Sequence, residues 1–576
     1  MSPTPVKAET CRYVLTSVTV LLVFCARLAE GDTRESRTVQ TTQGSVRGYK
    51  DPNSDVFIYY GIPYASVPTG ENKFKAPLPP PTWLTTLDAV DQGIICPQTI
   101  VPEIPFFYEG KQVREDCLIA NIYTPKTNVT NLPVVVYVHG GAFQGGYGTM
   151  GGPTNMVQSQ HFVAVTFNYR LGIHGFLCLG TETAPGNAGM KDMVALLKWV
   201  KANIASFGGN PVDVIINGYS AGSAAVELLM LSPETNGLFS KSIQESGGSL
   251  AAFAVQNDPI SIAKDFAQKN NVKNIDNMQA LEEFYKTATL DTLTNDSFQN
   301  RKDQTFVFAP CIEQPTLNGP SFLSDSPYNI LKTGNYKNIP MLYGFCNLEG
   351  LIRIQFLKDW SSAMNDKFTD FLPPDLQFAN VAERNQVAQS IKQFYFGNNT
   401  IGDATTLAYV DFFSDMMFIY PMIRSARLFV STGHDKVYLY QYSFYDNDTA
   451  PVPFSNVRGA AHMTQTLAIL DQDESKISED FKNMKALMRE TWGRFIKTGV
   501  PSTSGSSVPS WPKITSGGSP YMSLGRTVQL LNSIPAANRI QFWDNIYAKY
   551  YRPPSAPRQQ PLAKIKAQLQ IKLPLV

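Results

Sequence analysis

The sequence predicts an α/β architecture, with a mostly parallel central sheet flanked by helices on both faces. Three observations predict it. Near-continuous apolar and β-branched runs recur at 134–138, 162–167, 212–216, 339–343 and 437–442. Such runs suit strands buried on both faces, the condition of a parallel sheet. Stretches with a helical pattern stand among and after them, at 190–205, 221–231 and 479–498, and strand–helix alternation marks an α/β fold. No internal repeat and no linker interrupts residues 39–525. One large domain with long insertions, spanning 32–550, is the simplest organisation.

The flanks differ from this pattern. An apolar run at 14–25 has Lys7 and Arg12 before it and Arg27 after it, with small residues at Ala29 and Gly31. A positive flank, a short apolar core and small residues make 1–31 a secretory signal peptide. A membrane span needs about 20 apolar residues, so neither this run nor any later one is expected to be a transmembrane segment. Residues 551–576 are proline-rich and basic, then mildly apolar, and are expected to extend outside the core. The 576 residues carry 49 lysines and arginines against 48 aspartates and glutamates, a net charge of +1. That balance argues against nucleic acid as a partner. Loss of the signal peptide removes Cys11 and Cys25 and leaves Cys96, Cys117, Cys178, Cys311 and Cys346. Secretion permits disulfides, and an odd count leaves at least one thiol unpaired within the chain. Sequons at Asn128, Asn295, Asn398 and Asn447 fit the same route as glycan acceptors.

Gly218-Tyr219-Ser220-Ala221-Gly222 follows the run at 212–216 and opens the helical stretch at 221–231. A serine on a strained strand-to-helix turn requires minimal side chains two residues to either side, and glycine supplies them. Without that context the same residues would be a glycine-rich turn with an idle serine; with it, Ser220 is the expected nucleophile. His139-Gly140-Gly141-Ala142-Phe143 follows the run at 134–138. Acyl transfer builds negative charge on a carbonyl oxygen, and one N–H aimed at it contributes about 3 kcal/mol in comparable enzymes. The expected donors are the N–H groups of Gly140, Gly141 and Ala221. Glycines continue through Gly152, but no Gly-Lys-Ser/Thr follows, which argues against a phosphate-cradling loop.

A serine hydroxyl needs a base. The five histidines are His139, His161, His174, His434 and His462. His139 belongs to the oxyanion loop. His161 leads into a run expected to be buried and reads as a packed residue. His174 has no evident partner, and His434 falls in a polar turn. His462 alone combines a loop after a late strand with small neighbours, Gly459-Ala460-Ala461. The third member is a carboxylate that orients the imidazole, in the chain order serine, acid, histidine. Glu349 follows the run at 339–343 and fits; Glu313 and Asp325 are earlier competitors. Ser220, Glu349 and His462 all fall beyond the C-terminal ends of expected parallel strands, where open α/β sheets build their sites.

Linked motifs extend the pattern: Gly61-Ile62-Pro63-Tyr64-Ala65, Glu115-Asp116-Cys117-Leu118 with Asn121-Ile122-Tyr123, and Asn168-Tyr169-Arg170 with Gly175-Phe176-Leu177. Gly186-Asn187, Asp192 and Phe207-Gly208-Gly209-Asn210-Pro211 precede the serine, and Glu245-Ser246-Gly247 follows it. Over roughly 39–525 the chain resembles the type-B carboxylesterase/cholinesterase family. The resemblance implies the α/β-hydrolase fold, the triad Ser220, Glu349 and His462, and the oxyanion hole of Gly140, Gly141 and Ala221. It also implies a Cys96–Cys117 disulfide, closing a loop that forms one wall of the active-site gorge and contributing about 3 kcal/mol by loop closure. Departures stand beside it. Tyr219 occupies a position where many members carry glutamate, and Met463-Thr464-Gln465 follow His462 where acidic residues are common. The loop between Cys96 and Cys117 has no tryptophan; cholinesterases use one to hold a quaternary ammonium by cation–π attraction, so choline esters are not the expected substrate. Tyr219 and the stretch 344–350 are similar to secreted insect esterases, including antennal ones that degrade odorant esters.

The resemblance and the motifs together imply a secreted carboxylesterase acting through an acyl-enzyme on small to medium apolar esters, such as odorant, hormone or xenobiotic esters, with no metal or organic cofactor. The competing reading is a non-catalytic adhesion protein of the same fold. Such relatives lose triad members and add a membrane span; here every candidate residue is present.

Overall fold

The computed structural model describes residues 34–557 except 100–107, 296–300, 315–319, 472 and 504. The expected signal peptide, at 1–31, and residues 558–576 lie outside the described residues.

A thirteen-stranded sheet runs through the described residues. Its first strands are β1 (Ser36–Gln40), β2 (Ser45–Lys50), β3 (Val56–Pro63) and β4 (Ile119–Pro125). Next come β5 (Leu132–Val138), β6 (Val163–Phe167), β7 (Gly209–Tyr219) and β8 (Lys241–Glu245). Last are β9 (Met341–Cys346), β10 (Val437–Tyr442), β11 (Tyr521–Leu524) and β12 (Val528–Leu531). The two-residue strand Leu87–Asp88 flanks β2. The order across the sheet is β1-β2-β3-β4-β6-β5-β7-β8-β9-β10-β11-β12. From β6 through β11 every neighbouring pair is parallel. The pairs among β1–β4, the β4–β6 pair and the β11–β12 pair are antiparallel.

The helices that frame the site are α1 (Ala188–Asn203), α2 (Ala221–Leu231), α3 (Thr406–Ser414), α4 (Tyr420–Ser431), α5 (Thr464–Ile469), α6 (Glu479–Thr498) and α7 (Ala537–Tyr550). Side chains on a strand alternate between faces. Val134, Val136 and Val138 of β5 therefore join the core that holds Leu196 of α1 and Leu228 of α2, whereas Val135 joins the core of Met488 and Trp492 on α6. Both faces are buried, which is why these strands read as continuous apolar runs. Each such side chain contributes roughly 1.5–3 kcal/mol.

Several boundaries follow from local chemistry. Ser478 caps α6 by accepting from Phe481 N–H, and Gly499 ends it with φ 75°, so the expected span 479–498 holds. β9 begins at Met341 rather than 339, because Pro340 has no N–H to offer a ladder. The helix expected at 190–205 starts earlier, at Ala188, and tightens after Asn203 into the 3₁₀ turn Ile204–Phe207. His161, expected to be packed at a buried run, is instead an exposed left-handed residue with φ 55° that ends the helix Thr154–Gln160. Residues 551–557, expected outside the core, run along the domain. Arg552 N–H donates to Asp375 O at 2.9 Å, Tyr551 pairs with Leu376, and the Arg424 guanidinium lies 3.9 Å from the Tyr551 ring centre. A large aromatic ring at the start of that segment had apolar surface to bury.

Candidate active site

The turn between β7 and α2 carries Ser220 at φ 56° and ψ −128°, a strained conformation for any residue with a Cβ. The flanking glycines permit it. A Cβ on Gly218 would lie 2.3 Å from Gly222 O, and one on Gly222 would lie 2.2 Å from Val138 O. The turn is tied to β8 by Ser220 N–H donating to Glu245 O at 2.8 Å. Ser220 is 7% exposed.

The loops after β9 and β10 are zipped to one another. Leu348 N–H donates to Ala460 O at 3.0 Å, and Ala460 N–H to Asn347 Oδ1 at 2.9 Å. This brings the two side chains to the serine. His462 Nε2 lies 2.9 Å from Ser220 Oγ, and its Nδ1 lies 2.5 Å from Glu349 Oε2. Glu349 is fully buried at the start of the 3₁₀ turn Glu349–Phe356. Its other oxygen, Oε1, accepts from the Ser246 hydroxyl at 2.5 Å and from Cys346 N–H at 2.7 Å. Between α3 and α4 the helix passes through one π turn, Asp415–Ile419. That turn sets the Phe418 ring 4.4 Å from the imidazole, with Phe253 at 5.6 Å from Phe418 and Phe306 at 4.9 Å from Phe253.

The glycine loop after β5 closes on the serine. A Cβ on Gly140 would lie 2.9 Å from Ser220 Cβ, and Gly141 has φ 109°. Among the described residues no backbone acceptor takes a hydrogen bond from the N–H of Gly141 or Ala221, whereas Gly140 N–H faces the Tyr219 hydroxyl. Unpaired donors beside a buried serine hydroxyl suit an anionic oxygen. Tyr219 packs against this loop; burial pushes its phenol up to about 12, so the residue before the serine is neutral.

The competing candidates are engaged elsewhere. Glu313 pairs with Lys191 at 3.2 Å and accepts from Asn187 Nδ2 at 3.0 Å. Asp325 accepts from Ser326 N–H at 2.6 Å and Asn329 Nδ2 at 2.9 Å. His139 stacks on Tyr169 with centroids 4.3 Å apart, and burial lowers it to about 4. His174 is lowered to about 3 by burial, then by Lys73 and Arg170. His434, expected in a polar turn, is fully buried beside Tyr336 and Phe429 and lowered to about 4, mainly by burial. All three are neutral packing residues near pH 7.

Cys96 and Cys117 are bonded, with Cα atoms 5.0 Å apart. A second disulfide, Cys178–Cys311, joins residues 133 apart in sequence, and Cys346 is a buried free thiol. Ser246 falls in a motif that the sequence singled out without giving it a role. Gln465 is one of the three residues after His462 that depart from the family, a signal with no role attached, whereas Cys346 and Phe418 carry none beyond their neighbourhoods.

A profile of the carboxylesterase family matches residues 35–543. Esterase FE4 of Myzus persicae is 31% identical over 499 residues, covering 82% of this chain and 86% of its own length. Juvenile hormone esterase of Heliothis virescens is 30% identical, covering 85% of this chain and 91% of its own. The crystal structure of juvenile hormone esterase from Manduca sexta, with OTFP covalently attached, matches with a TM-score of 0.79 at 29% identity, over 89% of this chain and 100% of that one. The chain belongs to the carboxylesterase family and is a carboxylic ester hydrolase of the α/β-hydrolase fold.

Proposed function

We propose that the chain is a secreted esterase in which Ser220, His462 and Glu349 are the acyl-transfer triad. The observation that carries this reading is the unbroken line of hydrogen bonds from Glu349 Oε2, through both ring nitrogens of His462, to Ser220 Oγ. Ser220 Oγ attacks the ester carbonyl as its proton passes to His462 Nε2. The carbonyl oxygen becomes an oxyanion and is received by the N–H groups of Gly140, Gly141 and Ala221. The C–O bond to the alcohol then breaks, the alcohol leaves with the proton from Nε2, and an acyl-Ser220 remains. Water gives a proton to the same nitrogen and attacks the acyl carbon. The acid departs as the proton returns to Ser220. Glu349 holds the imidazolium and the tautomer throughout.

Small to medium apolar esters are the proposed substrates, of odorant, hormone or xenobiotic type. The Phe418 ring against His462, backed in turn by Phe253 and Phe306, supports an apolar acyl or alcohol group, and neutral Tyr219 puts no negative charge beside the serine to favour a cationic substrate. Two relatives named as juvenile hormone esterases support a hormone ester as one member of that class. The proposed organisation is a signal peptide at 1–31, one catalytic domain at 32–550 and a C-terminal segment. Secretion draws support from two disulfides and from the exposure of Asn128, Asn295, Asn398 and Asn447, the proposed glycan sites. Among the described residues no helix is long and apolar enough to cross a membrane.

The test is a fluorophosphonate label followed by peptide mass mapping. The expected result is one adduct on Ser220 that Ser220→Ala abolishes together with hydrolysis. Folded wild-type protein that stays unlabelled would return the reading to a non-catalytic adhesion protein. A panel of acetate to decanoate esters then sizes the pocket.

A further inference from the structure

Four fully buried side chains form a closed polar ring behind the imidazole: Glu349, Ser246, Gln465 and Cys346. Its bonds have a fixed direction. A carboxylate only accepts, so the Ser246 hydroxyl spends its single proton on Glu349 Oε1. The Ser246 oxygen is left to accept, and Gln465 Nε2 donates to it. Gln465 Oε1 then faces the Cys346 thiol, which donates to it. Burial pushes that thiol well above its ordinary value, so it keeps the proton. Cys346 closes the ring through its N–H, which donates to Glu349 Oε1 at 2.7 Å. A carboxylate at 465 could not take this place, because it has no hydrogen to give Ser246.

We propose that Gln465 is a positioning residue for the ester hydrolysis: by holding Ser246 and Cys346 it keeps the Glu349 carboxylate turned with Oε2 toward His462 Nδ1. This rests on the triad reading above. A carboxylate with fewer donors leaves more of its charge to an imidazolium, so loosening the ring favours the protonated base and shifts the active range to higher pH.

The test measures kcat and KM against pH for wild type, Gln465→Leu, Ser246→Ala and the double variant, with thermal melts to establish folding. Gln465→Leu is expected to lower kcat about tenfold with KM within about twofold. It should also raise the acid limb of the pH profile by about half a pH unit. The double variant should lose clearly less than the product of the two single losses, since Gln465 acts largely through Ser246 and only the Cys346 arm remains for it to hold once Ser246 is gone. Wild-type kcat with an unmoved limb in folded Gln465→Leu would overturn the proposal, as would losses that multiply in the double variant. If Gln465→Leu does not fold, Gln465→Glu keeps the volume. Its kcat should fall on the alkaline side as the new carboxyl ionises, and a profile that overlays wild type would overturn the proposal. Ser220→Ala separates the two ideas. If it retains hydrolysis the triad reading fails, whereas Ser220-dependent hydrolysis with an unaffected Gln465→Leu removes only the role of Gln465.

Discussion

Ser220 is held by backbone shape, whereas His462 and Glu349 are held by side-chain hydrogen bonds. On the serine side, Gly218, Gly222, Gly140 and Gly247 would each drive a Cβ to within 3 Å of main chain or of Ser220 itself. On the other side, His462 and Glu349 depend on Ser246, Cys346, Gln465 and the contact between the two loops. The first half fails through sterics, with the fold. The second fails through proton placement, with the fold intact.

The largest effect should come from Glu349→Gln. The Ser246 hydroxyl and Cys346 N–H both donate to Oε1, so the amide oxygen takes that position and its NH₂ faces His462 Nδ1. The imidazole must then accept there, which puts its own N–H toward Ser220 Oγ and removes the proposed base. kcat should fall about 10⁴-fold with little change in KM, read by steady-state kinetics, while the melting curve stays close to wild type. Equal losses of activity and stability would erase the contrast between the two halves.

Gly222→Ala probes the other half. Its Cβ would lie 2.2 Å from Val138 O and 2.7 Å from His139 O, at the end of a central buried strand that has little room to yield. A loss of about 4 kcal/mol is expected by denaturant unfolding. Wild-type stability in this variant would show that the turn is not set by close packing.

This contrast explains what the sequence reveals. Backbone sterics leave a local mark, and Gly218-Tyr219-Ser220-Ala221-Gly222 between a strand and a helix is such a mark; α2 and β7 lie where that pattern implies. Side-chain proton relays leave none. Residues alone leave Glu313 and Asp325 open beside Glu349, because which acid meets His462, 113 residues away from Glu349, depends on the contact between two loops. Gln465 reads only as an odd neighbour of the histidine until its amide is seen to face Ser246. His161 and His434 exchange expected environments, since single positions next to apolar runs do not specify a cap or a burial.

The second disulfide has the same lesson. Nothing in the spacing of Cys178 and Cys311 pairs them, yet they close a loop of 133 residues, against 21 for Cys96 and Cys117. Close packing frames the bond, since a Cβ on Gly186 would meet Cys311 Sγ at 2.5 Å. Replacing both cysteines with serine should lower stability by about 4 kcal/mol, against about 3 kcal/mol for the shorter loop. The loss should exceed that of the Cys96/Cys117 double variant by thermal melting. The reverse order would mean that loop length is not what sets the contribution.

The smallest effect sharpens the comparison where the two halves meet. Glu245 O receives Ser220 N–H, and its carboxylate accepts from Thr466 Oγ1 at 2.7 Å and Trp492 Nε1 at 2.9 Å. Burial raises this carboxyl from 4.5 to about 7, against the lowering by those two donors. Between these two pH values the folded chain keeps a proton that the unfolded chain has released. Its contribution to stability is therefore full below about pH 4.5 and lost as pH rises to about 7. Glutamine mimics the protonated acid: Oε1 accepts from Trp492 and the NH₂ donates to the Thr466 oxygen. Glu245→Gln should match wild type near pH 5 and melt a few degrees higher at pH 8, a gain of about 2 kcal/mol. The neutral buried histidines His139, His174 and His434 destabilise both proteins equally toward acid and cancel in the difference. A gap between the two melting curves that is the same at both pH values would place Glu245 in the ionised state throughout, held by its donors rather than opposed by its burial.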